Sequence, residues 1–387
     1  MTGLNIDDLG LPDYQPEQPV QGVEDAFDYP VAYKFAFVGV GQAGGRIAQT
    51  FYDLGYRRVC AVNTAQTDLS ELSDLPATSK LAMGEQQGVG KDPATAAKIA
   101  ASRGEDIYDL LTRTCDGADR IFVCLSGAGG TGAGAFAQVA AVANNYMISH
   151  RKPGSVGAII ALPKDSEGPR GAKNVLYTVN ALSKLKLSPI IFIDNERFKQ
   201  LYGSRLPAQR EKPESNSSTA KLLHTFNRLA GTESDDVGGT TFDAADFGKL
   251  LGSGVVAFAS AGLTKWDSPT QISEAIRDRL RNNVLAAVDL SKGSIAGLIY
   301  IVAGEAWDGD NAVTVEYLDH GTDMMNRIMD KPDSVVFTGV YPTAGATGSI
   351  QVLSMIGGLP YPQARLEDLA KRAGIPKDNI AAFLGMA

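Results

Sequence analysis

Ser126-Gly127-Ala128-Gly129-Gly130-Thr131-Gly132-Ala133-Gly134 is the stretch that decides the fold. An apolar run, Arg120–Leu125, leads into it, and an alanine-rich segment reaching Ile148 follows. A buried strand that feeds a glycine loop opening a helix is the setting of an anion-binding turn. Glycines let the backbone come close to a ligand, and the first helical N–H groups and the helix dipole favour negative charge. The alternative, a flexible linker, does not belong between a buried strand and a long helix.

A second loop of this kind lies upstream. Gly39-Val40-Gly41-Gln42-Ala43-Gly44-Gly45 separates the apolar run Phe35–Val40 from the helically spaced Arg46–Leu54. Gly39-x-Gly41-x-x-Gly44 matches the dinucleotide fingerprint, although a tight strand–helix turn with no ligand has the same spelling. A dinucleotide site asks for an acidic ribose ligand about 20 residues on. The next strand, Arg58–Val62, runs instead into Asn63-Thr64 and Gln66. A Walker-type loop fits worse, because Gly84…Gly90-Lys91 has one residue too many and Asp92 stands where Ser or Thr is needed. An NAD(P)-binding oxidoreductase therefore leaves the second glycine loop without a purpose. A triphosphate held by two helix N-termini gives both loops one.

Outward from these loops, strands and helices alternate. Arg120–Leu125, Val156–Leu162 and Pro189–Ile193 read as further strands, with helices over about 93–113 and 172–186. The pattern implies a parallel, doubly wound α/β sheet. It lapses near Arg205–Asn216 and resumes with one helix, Ser217–Ala230. A smaller α+β block follows, with helix Gln271–Ala287, strand Ser294–Ala303, helix Val313–Ile328 and strands Ser334–Tyr341 and Ser349–Ile356. Short helical stretches at Arg365–Ala373 and Asn379–Leu384 end the chain. The expected organisation is an acidic arm over 1–30, a ligand-binding α/β domain over 31–212, a central helix over 213–232, an α+β domain over 233–360 and a helical tail over 361–387.

Composition removes several other classes. The net charge of −8 is concentrated in the first 30 residues, which hold 7 of the 44 acidic side chains and none of the 36 basic ones. The body is thus nearly neutral, and no basic block suits a nucleic-acid coat bound through phosphates. Apolar runs are strand-sized, too short for a membrane helix, and no leader pattern opens the chain. Cys60, Cys115 and Cys124, set in or beside apolar runs, fit a reducing cytoplasm; three scattered histidines give no zinc site. Glycine stands out at 42 residues, about 11% against a usual level of about 7%.

The sequence resembles the tubulin/FtsZ family of GTP-dependent filament proteins, most like the divergent TubZ- and PhuZ-like members. The hallmark G-G-G-T-G-[ST]-G is matched by Ala128-Gly129-Gly130-Thr131-Gly132-Ala133-Gly134, with Ala128 and Ala133 departing. The resemblance extends over about residues 33–358. It implies that Gly41, Gln42, Ala43, Gly44 and Arg46 form one phosphate loop, and Ser126, Gly127, Ala128, Gly129, Gly130, Thr131 and Gly132 the other. Ala61-Val62-Asn63-Thr64 is similar to the A-V-N-T of FtsZ, which brings in Asn63. Gly88-Val89-Gly90-Lys91-Asp92-Pro93 resembles the loop over the γ-phosphate, which brings in Gly90. Pro163…Glu167-Gly168-Pro169-Arg170 is like P-F-x-x-E-G-x-x-R, with Lys164 replacing the Phe, and implies ribose contacts from Glu167 and Arg170. Asn195 matches a loop near the sugar and base, and Asn216 is the best match for the residue that reads guanine. An asparagine opening a helix is equally well an N-cap.

Thr241-Phe242-Asp243-Ala244-Ala245-Asp246 resembles the N-x-D-x-x-D loop that one FtsZ subunit inserts into the next subunit's GTP site, with Thr241 in place of Asn. Carboxylates at i and i+3 share one face, where Asp243 and Asp246 could orient a water; the same spacing is that of a capping box. The resemblance implies GTP/GDP and Mg²⁺ as ligands, a head-to-tail homopolymer in the cytoplasm, and hydrolysis at the subunit interface. It also implies a role in positioning or segregating DNA or phage, through an adaptor or DNA-bound partner. A division or cell-shape filament is the alternative within the family.

Overall fold

The computed structural model describes residues 24–84, 88–203, 207, 211–232, 241–264, 268–303, 312–343 and 349–376. They form two compact units. One takes residues 24–28, 34–217 and 362–376, and the other 29–33 and 218–361.

The first unit is a parallel sheet wrapped by helices. Its strands are β1 (Phe35–Val40), β2 (Val59–Asn63), β3 (Lys80–Ala82), β4 (Arg120–Ser126), β5 (Val156–Leu162) and β6 (Ile190–Asp194), in spatial order β3-β2-β1-β4-β5-β6. All five neighbouring pairs are parallel. β1, β2, β5 and β6 are buried along their whole length, as expected of strands covered on both faces. Its helices are α1 (Gly41–Asp53), α2 (Gln66–Ser70), α3 (Pro93–Ser102), α4 (Gly104–Thr114), α5 (Gly130–Ser149), α6 (Gly168–Leu182) and α7 (Asn195–Tyr202). α8 (Glu211–Leu229) carries the chain onward. Under β1 an aromatic cluster fixes the core. Phe37 stacks on Phe51 at 3.7 Å, and Phe35 meets Phe122 edge-on at 5.0 Å. Each of these rings contributes roughly 2–3 kcal/mol by leaving water.

The second unit is the smaller α+β part. Its strands β7 (Val255–Leu263), β8 (Ile295–Ala303), β9 (Val335–Thr343) and β10 (Ser349–Leu359) lie in the order β7-β10-β8-β9. β10 is antiparallel to both neighbours, while β8 and β9 run parallel. Its helices are α9 (Ala244–Leu251), α10 (Pro269–Arg281) and α11 (Val315–Met329); a last helix, α12 (Gln363–Arg372), returns to the first unit.

Several elements differ from the sequence expectation. The helix expected over about 93–113 is two, because α3 closes at Arg103 and α4 starts afresh at Gly104 with Glu105 and Asp106 on its first turn. The helix expected to reach Ala287 stops at Arg281, where Asn283 turns its amide back onto the carbonyls of Arg279 and Leu280. β7 went unread because its small residues are buried on almost every position and show no alternation. The stretch expected as a helix at Asn379–Leu384 lies outside the described residues.

The acidic arm expected through residue 30 is packed from residue 24 onward. Asp25 Oδ1 accepts the Arg57 N–H at 2.9 Å, and its Oδ2 pairs with Arg58 at 3.1 Å. Arg58 is buried and needs a counter-charge, which the arm supplies. Phe27 adds an edge contact to Tyr56 at 5.0 Å. Residues 29–33 line α8, where Asn227 exchanges hydrogen bonds of 2.9 Å with the Tyr33 backbone and Tyr29 meets His224 at 2.8 Å.

Candidate functional site

A cleft of about 380 Å³ opens in the first unit at the carboxyl ends of β1 and β4, a size usual for small-molecule sites. The strand order reverses between these two strands, and open α/β sheets bind ligands at that point. Val40, Gly41, Gln42, Ala43, Arg46 and Ile47 line one wall, from the β1–α1 turn. Ser126, Ala128, Gly129, Gly130, Thr131 and Gly132 line the opposite one, from β4–α5. The loop Gly88–Lys91 lies along the cleft, and Asp68, Ala161, Glu167, Asn195 and Asn216 complete it.

Both walls are helix N-termini without side-chain caps. α1 starts after Val40 and α5 after Gly129, and neither N-cap residue has a side chain that accepts a hydrogen bond from the first turn. By contrast Asp92 caps α3 and Asp194 caps α7. The uncapped first turns offer backbone N–H donors and the positive ends of two dipoles to one space, which suits a polyanion. The glycines make the approach possible. Gly41 has φ +72°, and a Cβ there would lie 2.9 Å from the Gly132 nitrogen. A Cβ on Gly130 would lie 2.7 Å from the Lys91 Cα, so the 88–91 loop also depends on a bare backbone.

Side chains brace the cradle from behind. Thr64 and Thr131 share a 2.6 Å hydrogen bond that ties the end of β2 to α5. Asn174, buried on α6, donates to the carbonyls of Lys91 at 3.2 Å, Ala128 at 3.2 Å and Gly129 at 3.3 Å. It therefore joins the 88–91 loop to the β4–α5 loop. Arg46 and Gln42 both reach Glu71, at 2.8 and 3.2 Å, and those bonds, Arg46 first, hold the Glu71 carboxyl below its usual range. Burial pushes the Asp194 carboxyl up, against the pull of Arg365.

Most of the sequence-based candidates converge here: Gly41, Gln42, Ala43, Arg46, Gly90, Ser126, Ala128–Gly132, Glu167, Asn195 and Asn216. Four stand behind or beside the cleft instead. A Cβ on Gly44 would overlap the Cys124 carbonyl, so this glycine serves the packing of α1 on β4. Gly127 faces Val175 and Thr178 of α6. Asn63 is buried and donates to Asp68 at 3.0 Å, so it acts through that carboxylate. Arg170 is exposed on α6 and exerts its charge on Asp92. Asn216 is no N-cap, because α8 already begins at Glu211. Ala133, where the hallmark has Ser or Thr, is fully buried and outside the cleft lining.

Asp243 and Asp246 belong to the second unit. Asp243 caps α9, accepting the Asp246 N–H at 2.9 Å, and Asp246 pairs with Lys249 at 3.3 Å. Phe242 anchors this loop. It is fully buried, its carbonyl accepts the Tyr341 hydroxyl at 2.8 Å, Gly297 leaves room for its ring and Gly339 for its Cβ and backbone nitrogen. Sequence reasoning missed Asp68, and of the loop 88–93 that the resemblance set over the γ-phosphate it singled out Gly90 and not Val89 or Lys91. Lys91 sits at φ +64°, a conformation no sequence pattern around it signals.

Residues 34–203 match the family model described as the tubulin/FtsZ family, GTPase domain. The cell division protein FtsZ of Haloferax mediterranei is 26% identical over 333 residues, 84% of this chain and 80% of that protein. The tubulin-like protein CetZ of Pyrococcus abyssi is 26% identical over 86% of this chain and 87% of its own. Among solved structures, a GTPγS-form protofilament of Bacillus thuringiensis serovar israelensis TubZ matches with a TM-score of 0.75 at 18% identity, covering 89% of this chain and 93% of that one. The double cradle, the strand order and these likenesses agree. Residues 34–203 match a tubulin/FtsZ-type GTPase domain, and most of the chain is similar in sequence to FtsZ and CetZ proteins and in fold to TubZ.

Proposed function

We propose that the chain binds GTP in this cleft, assembles head to tail into filaments, and hydrolyses the nucleotide where one subunit meets the next. The observation that carries the reading is the pair of uncapped helix N-termini, α1 and α5, meeting across one cleft at Gly41 and Gly132. The two turns take the phosphates through backbone N–H groups, with Gly90 and Lys91 over the terminal one. Glu167 and Asn195 take the sugar side, and the Asn216 amide can pair with a purine edge. Mg²⁺, held by the phosphates with Asp68 and the Thr131 hydroxyl close by, would neutralise charge on the transferring group. Asp68 is well suited because Asn63 fixes its carboxylate at the cleft.

Asp243 and Asp246, supplied by a neighbouring subunit, orient and polarise the attacking water. The cap and ion pair that hold them make this loop rigid enough for the task, and catalysis here is mainly positioning and charge stabilisation. The domain limits that suit this division of labour are 31–212 for GTP, 213–232 for the central helix and 233–360 for the catalytic loop and its support. A heterologous contact of this kind repeats into an open filament. The site lies in a cytoplasmic protein on this reading; among the described residues no helix is long and apolar enough to cross a membrane.

For cellular role, the reading is a filament that positions or segregates DNA through an adaptor. It is supported by TubZ as a structural neighbour, including a structure described as type III plasmid segregation TubZ at a TM-score of 0.71. A division filament is the second reading, favoured by the 26% identity to FtsZ. Electron microscopy with GTP against GDP, together with phosphate release, tests the core proposal. Filaments with GTP and none with GDP are expected; GTP that neither binds nor assembles the chain refutes it.

A further inference from the structure

The cleft loops on the sugar side are held by a residue from the far end of the chain. Arg365, on α12, pairs with Asp368 of its own helix at 3.1 Å and directs its guanidinium at three further groups on two different loops. Its Nη2 donates to the Pro163 carbonyl at 2.6 Å, its Nη1 to Asp165 Oδ1 at 2.9 Å, and its Nε faces Asp194 Oδ2 at 3.2 Å. The Arg365 side chain is 11% exposed and that of Asp194 is 7% exposed. Arg372, about two turns further along α12, holds the other oxygen of Asp165 at 2.7 Å.

Both loops end in a cleft residue. Asp194 Oδ1 caps α7 through the Glu196 N–H at 3.1 Å, and Asn195 beside it lines the cleft. Glu196 in turn accepts the Asp165 N–H at 2.9 Å, closing a ring between the loops. On the other side, Glu167 accepts the Lys164 N–H at 3.2 Å and turns toward the cleft. The guanidinium is a planar fork that bonds the Pro163 carbonyl and the Asp165 and Asp368 carboxylates while its Nε forms an ion pair with Asp194, which an ammonium cannot reproduce.

We propose that Arg365 is a positioning residue for nucleotide recognition: α12 clamps the 163–167 and 194–196 loops together, and so sets how Glu167 and Asn195 meet the sugar side of the bound nucleotide. This rests on the GTP-site reading above. Removing Arg365 takes from the buried Asp194 its ion pair with that guanidinium and leaves Asp165 with Arg372 alone, so the one group that ties the two loops together is lost. The phosphate turns, braced separately by Asn174 and Thr64, stay in place.

The test is GDP titration by calorimetry with the full chain, beside amide hydrogen exchange of the nucleotide-free protein. Arg365→Ala should weaken GDP about tenfold or more, and Arg365→Lys should recover only part of that. Exchange should rise at residues 164–167 and 195–197 and stay at the wild-type level at 41–45 and 129–133. Asp165→Asn, which keeps Asp194 paired, serves if Arg365→Ala does not fold, and should weaken GDP by a smaller factor. Wild-type protein that binds GDP while both variants bind it equally well overturns the clamp alone. A uniform rise in exchange across the unit also overturns it, because that marks general destabilisation. Wild-type protein that binds no guanine nucleotide overturns the site reading and the clamp with it.

Discussion

Gly41→Ala tests the cradle directly. Gly41 has φ +72°, and an alanine in that left-handed region costs about 1–2 kcal/mol. Its Cβ would also lie 2.9 Å from the Gly132 nitrogen and 3.3 Å from Thr131 Cβ, and relieving such overpacking costs about 1–3 kcal/mol. The two terms together lower stability by about 2–5 kcal/mol. Relief of the contact must turn or push the Gly132 N–H away from the cleft. One net hydrogen bond to a charged group contributes about 1.5–3 kcal/mol. Its loss corresponds to about a tenfold to hundredfold drop in GTP affinity, since 1.4 kcal/mol is one decade. Gly154→Ala is the matched control: it has the same φ of +72° and nothing within 4 Å of its Cβ. The control should lose only the backbone term and bind GTP like the wild type. Calorimetric titration well below both melting points reads the affinity, and thermal unfolding reads the stability. If Gly41→Ala binds GTP as tightly as Gly154→Ala, the meeting of Gly41 and Gly132 is not the phosphate cradle.

Asp243→Asn keeps an N-cap while removing the charge, so it should fold normally, bind GTP, and release phosphate at least a hundredfold more slowly, within the usual range for a lost acid–base group. Asp246→Ala should do the same, and wild-type phosphate release in both variants would falsify the catalytic assignment. His224 has its pKa lowered from 6.5 to about 4, by burial first and then by Arg228. The unfolded chain therefore gains a proton that the fold refuses, so stability present above pH 6.5 is lost as pH falls toward about 4, by roughly 3 kcal/mol in all. Denaturant unfolding across that range should show the loss in wild type and a flatter profile in His224→Gln; identical profiles would rule out His224 as the source. Gly134→Ala would drive a Cβ into the Pro93 carbonyl and to 2.7 Å from Ala96 Cβ, prising α5 from α3. About 2 kcal/mol of stability should go, several degrees in Tm; an unchanged Tm would show that the two helices can separate at no cost.

The glycine-loop side of the cleft was legible because its chemistry is local. Glycine loops between a buried strand and a helix are spelled out in consecutive residues, and the helix N-terminus that follows supplies the donors. The other side of the cleft was legible only through resemblance, at Glu167, Asn195 and Asn216. Asp68 had no signal of its own, since one acid in a polar segment has no distinctive spacing, and Lys91 entered only as part of the loop 88–93. Gly44 and Gly127 were read as ligand contacts, although the space they leave is filled by Cys124 and by α6. A glycine kept for close backbone packing and one kept for a ligand are spelled alike.

The amino-acid order by itself determined the alternation of strands and helices, the two uncapped helix starts and the concentration of acid at the N-terminus, because each depends on neighbours in the chain. Tertiary structure decided the rest. It split the helix over 93–113, started α8 early enough to place Asn216 inside it, and drew residues 24–33 into the packed body, where Asp25 answers the buried Arg58. It also set Arg365 against loops some 170 to 200 positions earlier. A buried charge is stable only beside its partner, and which partner it meets depends on how the sheet folds, not on the distance along the chain.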